Sequence, residues 1–171
     1  MHGARVVTVM QPGEHVGEEA DAAVTAVPGA VLAVQVADCA PVALVADGVL
    51  GVAHAGWRGL AAGVLPATVD AMRSLGAGHI SATIGPCIRP GCYEFGAADL
   101  DAVAATLGEH VRGRTSSGAP ALDVPAAVRA SLAAAGVDDV TDVGTCTACS
   151  PDHWSHRSAG DPERQAVVAW T

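Results

Sequence analysis

The chain has 171 residues, half of them apolar, and a formal charge of −9 at neutral pH. Its only fixed cations are nine Arg, since the sequence contains no Lys, and this scarcity excludes a nucleic-acid or anionic-membrane surface, either of which needs clustered positive charge. The length is that of a single domain able to bury a sizeable core, and with one Tyr, one Phe and three Trp that core must be built from small aliphatic side chains.

Ala4 to Met10 reads as a strand, closed by the turn residues Gln11-Pro-Gly-Glu-His15, and the acidic group Glu14, Glu18, Glu19 and Asp21 reads as solvated loop. Short β-rich runs follow at Asp21 to Thr25 and Ala30 to Val36. Pro41 to Ala46 and Val49 to Ala53 form a hairpin across Asp47-Gly48. Apolar residues at helical spacing run from Trp57 to Leu75, with Pro66 expected to kink the helix or split it in two and Gly76 to stop it. His79 to Ile84 is a strand, and Ala97 to Leu107 a helix with Asp99 and Asp101 suited to its first turn. Gly113 to Pro120 reads as a loop, and Pro125 to Ala135 as a helix with Pro at its start and Gly136 at its end. Val140 to Cys146 and Gln165 to Trp170 are the last strands, joined by a polar segment rich in His and Arg. There is no strict βαβ rhythm, so mixed sheets with helices packed outside are expected rather than a doubly wound parallel sheet.

Five Cys, an odd number without regular spacing, read as reduced thiols of a cytoplasmic protein. Met1-His2-Gly3-Ala4-Arg5 runs straight into Val-Val-Thr-Val rather than through a signal peptide, and no apolar run has the length of a membrane helix.

Chemistry concentrates between Ala37 and Gly59. Cys39 precedes one arm of the expected hairpin and His54 follows the other, so thiol and imidazole come close enough to share one metal ion or one proton. Three readings stay open on these residues alone: a buried structural pair, two ligands of a Zn²⁺ site that needs a third, or a Cys/His nucleophile and base working without metal. Arg58, where a helix begins, is suited to grip an anion through two guanidinium donors. Asp38 either orients His54 or ends its strand. Trp57 either packs the helix start or stacks a purine. Cys87 and Cys92, with the Cys146-Thr-Ala-Cys149 pair, read as ordinary buried thiols; a second zinc site there would need both pairs to converge.

Ala-Asp-Cys39-Ala-Pro-Val, His54-Ala-Gly-Trp-Arg-Gly, Ile-Gly-Pro-Cys87-Ile with Tyr93-Glu94, and Thr145-Cys-Thr with Ser155-His-Arg157 occur in that order along the chain. Together they resemble the laccase-domain family, also called the multicopper polyphenol oxidase family, which includes the YfiH-type purine nucleoside phosphorylases. The resemblance implies an α+β fold of mixed β-sheets sandwiched between helical layers (α/β/β/α), in one domain covering residues 1–171. It implies a zinc ion held by His2, Cys39 and His54, with copper as the alternative ion. It also implies phosphorolysis of adenosine, inosine and methylthioadenosine, with adenosine deamination alongside, so that the partners are a purine nucleoside and phosphate. Arg58 and Asp38 are then the candidate catalytic residues, and Arg58, Trp57 and Arg157 the candidate substrate-binding ones.

Three departures mark this chain. The family's segment ahead of a Gln-Val-His-Gly motif is expected to be missing, since Met1-His2-Gly3 matches that motif; His15 is the other His before Cys39. The family's Ser-Tyr-Arg-Arg is here Ser155-His156-Arg157-Ser158, and its Gly-Arg-Met-Ala is Glu163-Arg164-Gln165-Ala166. The other expectations to be weighed are a metal-free hydrolase using Cys39 and His54, a copper-dependent phenol oxidase, and a non-catalytic relative.

Overall fold

The computed structural model describes residues 3–170. In chain order its strands are β1 (Val6–Val9), β2 (Ala22–Thr25), β3 (Val31–Val36), β4 (Ala40–Ala46), β5 (Val49–Ala55), β6 (Ser81–Ile84), β7 (Arg112–Arg114), β8 (Pro120–Leu122), β9 (Asp139–Asp142) and β10 (Gln165–Trp170). Its helices are α1 (Trp57–Ala61), α2 (Val64–Ser74), α3 (Ala97–Leu107), α4 (Val124–Ala134) and α5 (His156–Ala159), with short 3₁₀ turns at Pro90–Cys92 and Glu109–Val111.

Six strands form one mixed sheet in the order β1-β2-β5-β4-β6-β9. Its two outer pairs, β1 with β2 and β6 with β9, are parallel, and the inner pairs are antiparallel. On one face the helices close a core of Val42, Leu44, Leu65, Val69, Met72, Ile84, Val128 and Leu132. On the other lies a ribbon of β3 and β10, paired antiparallel from Val31↔Trp170 to Val36↔Gln165. It buries Leu32 and Val34 against Leu50 and Val52 of the sheet. The alternation of buried and exposed residues along β3 is the period of two that such a half-covered ribbon demands. The α+β class is therefore the observed one, with one mixed sheet and the antiparallel ribbon over it.

The β4–β5 hairpin forms in the expected register, Ala46 opposite Val49, with Gly48 at φ 71° in the turn. Because side chains alternate, Val49, Gly51 and Ala53 face the helices while Leu50, Val52 and His54 face the ribbon side. Gly51 lets α2 approach: a Cβ there would sit 2.8 Å from the Met72 sulfur. The expected break in the 57–75 helix occurs, and its cause is Gly63 at φ 85° rather than Pro66. Pro66 falls in the first turn of α2, where a missing N–H costs nothing.

Three local expectations are corrected. The 113–120 segment is the turn of a small β7–β8 hairpin, too short for alternation to reveal it. The polar run after Cys149 contains the single turn α5. Asp21 is 2 % exposed, not solvated, because its carboxylate accepts hydrogen bonds from the backbone N–H of Gly3 (2.9 Å) and Arg5 (3.1 Å).

Candidate functional site

Register decides where the chemistry meets. Ala40 pairs with Ala55 and Pro41 with His54, so Cys39, one residue before β4, lies beside the end of β5 that carries the imidazole. The chain then turns through Gly56 into α1, which sets Trp57 and Arg58 on the same rim. The Arg58 guanidinium stacks 4.2 Å over the Trp57 ring. From the ribbon side, Val36 at the end of β3 and Arg164 just before β10 complete a cleft of about 430 Å³. Asp38, Cys39, His54, Trp57, Arg58 and Arg157 all line it, so these six residues meet in one cleft. His2 lies outside the described residues. Gly3, next in the chain, is fixed against α1, its carbonyl close enough to Gly59 that a Cβ there would approach it to 2.8 Å.

Tyr93, His156 and Arg164 also line the cleft. The sequence offered a signal for the first, since Tyr93 is the only Tyr in an aromatic-poor chain. Three of its five aromatic residues form one edge-to-face string under the cleft: Phe95 lies 5.4 Å from Trp57 at 88° and 5.2 Å from Tyr93 at 66°. Arg157 stacks 4.8 Å over Tyr93 and donates to the Glu94 carbonyl at 2.9 Å. The string thus carries a guanidinium on each end. Arg164 is held by the carbonyls of Asp161, Pro162 and Glu163. Three of the nine Arg therefore converge on one cleft, in a molecule that is otherwise strongly acidic.

Asp38 is the hub that fixes the far wall. Its Oδ1 accepts from the hydroxyls of Thr147 and Ser155, both at 2.7 Å, and its Oδ2 from the Arg157 backbone N–H at 2.7 Å. It is 7 % exposed and sits at φ 76°, a left-handed conformation costly for most side chains that persists where surrounding contacts enforce it. Ser155 in turn accepts from the Ser158 N–H and caps α5. Asp38 consequently carries the position of Arg157.

Burial pushes the Cys39 thiol up to about 11; the Asp38 carboxylate adds to this and Arg164 opposes it. Burial likewise raises Tyr93, with Cys39 contributing. A thiol held protonated is a weak nucleophile at neutral pH.

The remaining cysteines also meet. Residue 87 pairs with residue 146 in a parallel bridge, and Cys92 Sγ lies 3.0 Å from Cys149 Sγ. The sulfurs of Cys92, Cys146 and Cys149 lie within 4.8 Å of one another, an arrangement able to hold a metal ion. The expectation of ordinary buried thiols is thus corrected for these three, none of which is buried; Cys87 alone is. Burial raises Cys87 to about 12, while at Cys146 burial is outweighed by the Arg89 backbone, the neighbouring Cys149 thiol and the backbone of Ala148 and Cys149, which leave that thiol below its usual value.

This is an α+β domain of one sheet, a helical layer and a covering ribbon, and it is similar in structure to YlmD from Geobacillus stearothermophilus (TM-score 0.85, 33 % identity, 98 % of this chain and 70 % of that one). It is equally similar to YfiH from Bacillus licheniformis (TM-score 0.86, 25 % identity, 100 % and 72 %). The profile of the family described as multi-copper polyphenol oxidoreductase laccase matches residues 1–171, and the chain belongs to that family. It is 44 % identical over 176 residues to a protein of Streptomyces coelicolor, covering 99 % of this chain and 72 % of that one. It is 38 % identical over 175 residues to one of Mycobacterium tuberculosis, covering 99 % and 69 %. Both relatives are named purine nucleoside phosphorylases.

Proposed function

We propose that this chain is a zinc-dependent purine nucleoside phosphorylase acting on adenosine, inosine and methylthioadenosine, with adenosine deamination as a side activity. The observation that carries the reading is the meeting of one sulfur, two imidazoles, two aromatic rings and three guanidiniums around a cleft of about 430 Å³, a volume suited to a nucleoside. The names of the relatives support the same substrate class.

The donor set fits zinc: a thiol and an imidazole are its preferred ligand types, and Cys39 and His54 both line the cleft. His2, Cys39 and His54 would hold the ion. When bound, zinc supplies a Lewis acid that leaves one coordination position open to a reactant.

In phosphorolysis a phosphate oxygen bonds to the ribose C1′ while the bond from C1′ to the purine nitrogen breaks, and the base leaves with the electron pair and takes up a proton. The chain's part is to hold a phosphate anion against a neutral nucleoside. Arg58 grips phosphate through two donors, and Arg157 and Arg164 complete its charge neutralisation. Tyr93 and Trp57 offer flat apolar surface to the purine. Asp38 is a positioning residue, acting through Arg157.

Purified protein incubated with adenosine and phosphate should release adenine and ribose 1-phosphate, with inosine as a minor product, and chelation should abolish all three. Absence of product at every zinc or copper loading overturns the reading. Turnover that ignores chelator but is abolished by thiol alkylation reassigns the site to Cys39 and His54 without metal.

A further inference from the structure

We propose that Cys92, Cys146 and Cys149 form a second, structural metal site that binds a thiophilic divalent ion, Zn²⁺, separate from the cleft. A tetrahedral zinc with bonds of about 2.3 Å sets its sulfurs about 3.8 Å apart. The three sulfurs here, one pair at 3.0 Å and all within 4.8 Å, bracket that spacing. No more than small side-chain rotations separate them from a common centre.

The backbone brings the three cysteines together from two segments. Cys146 and Cys149 lie on one tight turn closed by the Cys149 and Ser150 N–H groups on the Cys146 carbonyl, at 3.3 and 3.0 Å. Cys92 arrives from a different part of the chain, at the end of the 3₁₀ turn Pro90–Cys92. A single disulfide would use two of these sulfurs and leave the third without a task. Cys149 is exposed, so the fourth coordination position is open to water.

The placement gives the ion a purpose. Tyr93 follows Cys92 directly, and Thr147, a donor to Asp38, lies between Cys146 and Cys149. One metal would therefore staple together the two segments that form the back of the cleft.

The test removes the cleft's contribution first. In a His54→Ala background, Co²⁺ should titrate to one equivalent with a sulfur-to-cobalt charge-transfer band of three-thiolate intensity, and added Zn²⁺ should displace it and raise Tm. Adding Cys149→Ser, an exposed and structurally mild change, should weaken the band and shrink the zinc-induced rise; Cys92→Ser with Cys149→Ser should abolish both. Absence of the band in the His54→Ala protein, or its survival in the triple variant, overturns the proposal. So does a thiol titration that finds three of the five thiols in protein prepared without reductant and five after reduction, which would mark a disulfide instead. Because the cleft imidazole is absent throughout, the outcome is independent of whether the cleft binds zinc.

Discussion

At Asp38 a single carboxylate gathers two hydroxyls and one backbone N–H within 2.7 Å. Hydrogen bonds to a charged acceptor contribute about 1.5–3 kcal/mol each when buried. Asn tolerates the same left-handed backbone, so Asp38→Asn isolates the charge from the conformation. That variant should lose about 1–2 kcal/mol in urea denaturation, and Asp38→Ala about 3 kcal/mol or more, because it strands two buried hydroxyls and a half-buried N–H. Both should depress turnover through misplacement of Arg157 while the β4–β5 hairpin that sets Cys39 beside the end of β5 survives. A second carboxylate gives a pH signature. Arg89 donates to both oxygens of Asp142, at 2.8 and 2.5 Å, and holds its carboxyl below the usual carboxylate value. Since the folded pKa is depressed, the pair's stabilisation is fully present above the unfolded value of about 3.9 and is lost as pH falls through the folded one. Asp142→Asn should thus cost about 1 kcal/mol at pH 7, and the difference from wild type should close below about pH 4 when urea midpoints are compared.

Among the elements, α1 is the one whose position the site depends on most. It is only five residues long, carries Arg58, and touches the start of the described chain at Gly59. A methyl group on residue 59 would meet the Gly3 carbonyl, a backbone atom that cannot rotate away, so Gly59→Ala should destabilise by about 1–3 kcal/mol. It should also weaken zinc retention in the cleft more than its stability loss explains, measured as metal per chain after dialysis at a temperature where the variant is fully folded. The elements themselves were largely legible. The helix Ala97–Leu107 and the strand Gln165–Trp170 carry enough periodic residues to fix their own ends, and Asp47-Gly48 fixed the hairpin. What escaped was short or non-local. β7 and β8 have three residues each and hold together by pairing rather than by pattern. Asp21 looks like its acidic neighbours until the chain start folds over it. The Cys92 and Cys149 contact spans 57 positions that no local rule connects.

The cleft shows the same division across the whole molecule. Cys39, His54, Trp57 and Arg58 are legible because one hairpin and its exit supply them all, whereas Tyr93, Arg157 and Arg164 reach the site only through the closing of the fold. The last of these depends on β10, which carries Arg164 at its threshold and is paired solely with β3 among the described strands. Val167 and Val168 separate the two faces of that strand. Val167 packs inward with Leu32 and Val34 and lies near Gly85, while Val168 is 45 % exposed on the outer face. A carboxylate at 167 must be buried among aliphatic groups or force the ribbon from the sheet, at a cost of about 2–4 kcal/mol, whereas the same change at 168 should stay within about 0.5 kcal/mol. Val167→Asp should therefore lower the urea midpoint and, by freeing the segment that holds Arg164, raise the phosphate KM severalfold. Val168→Asp, one residue away with the same added charge, should do neither. Equal effects from the two would mean that net charge, and not the seating of the ribbon, sets the anion affinity of the cleft.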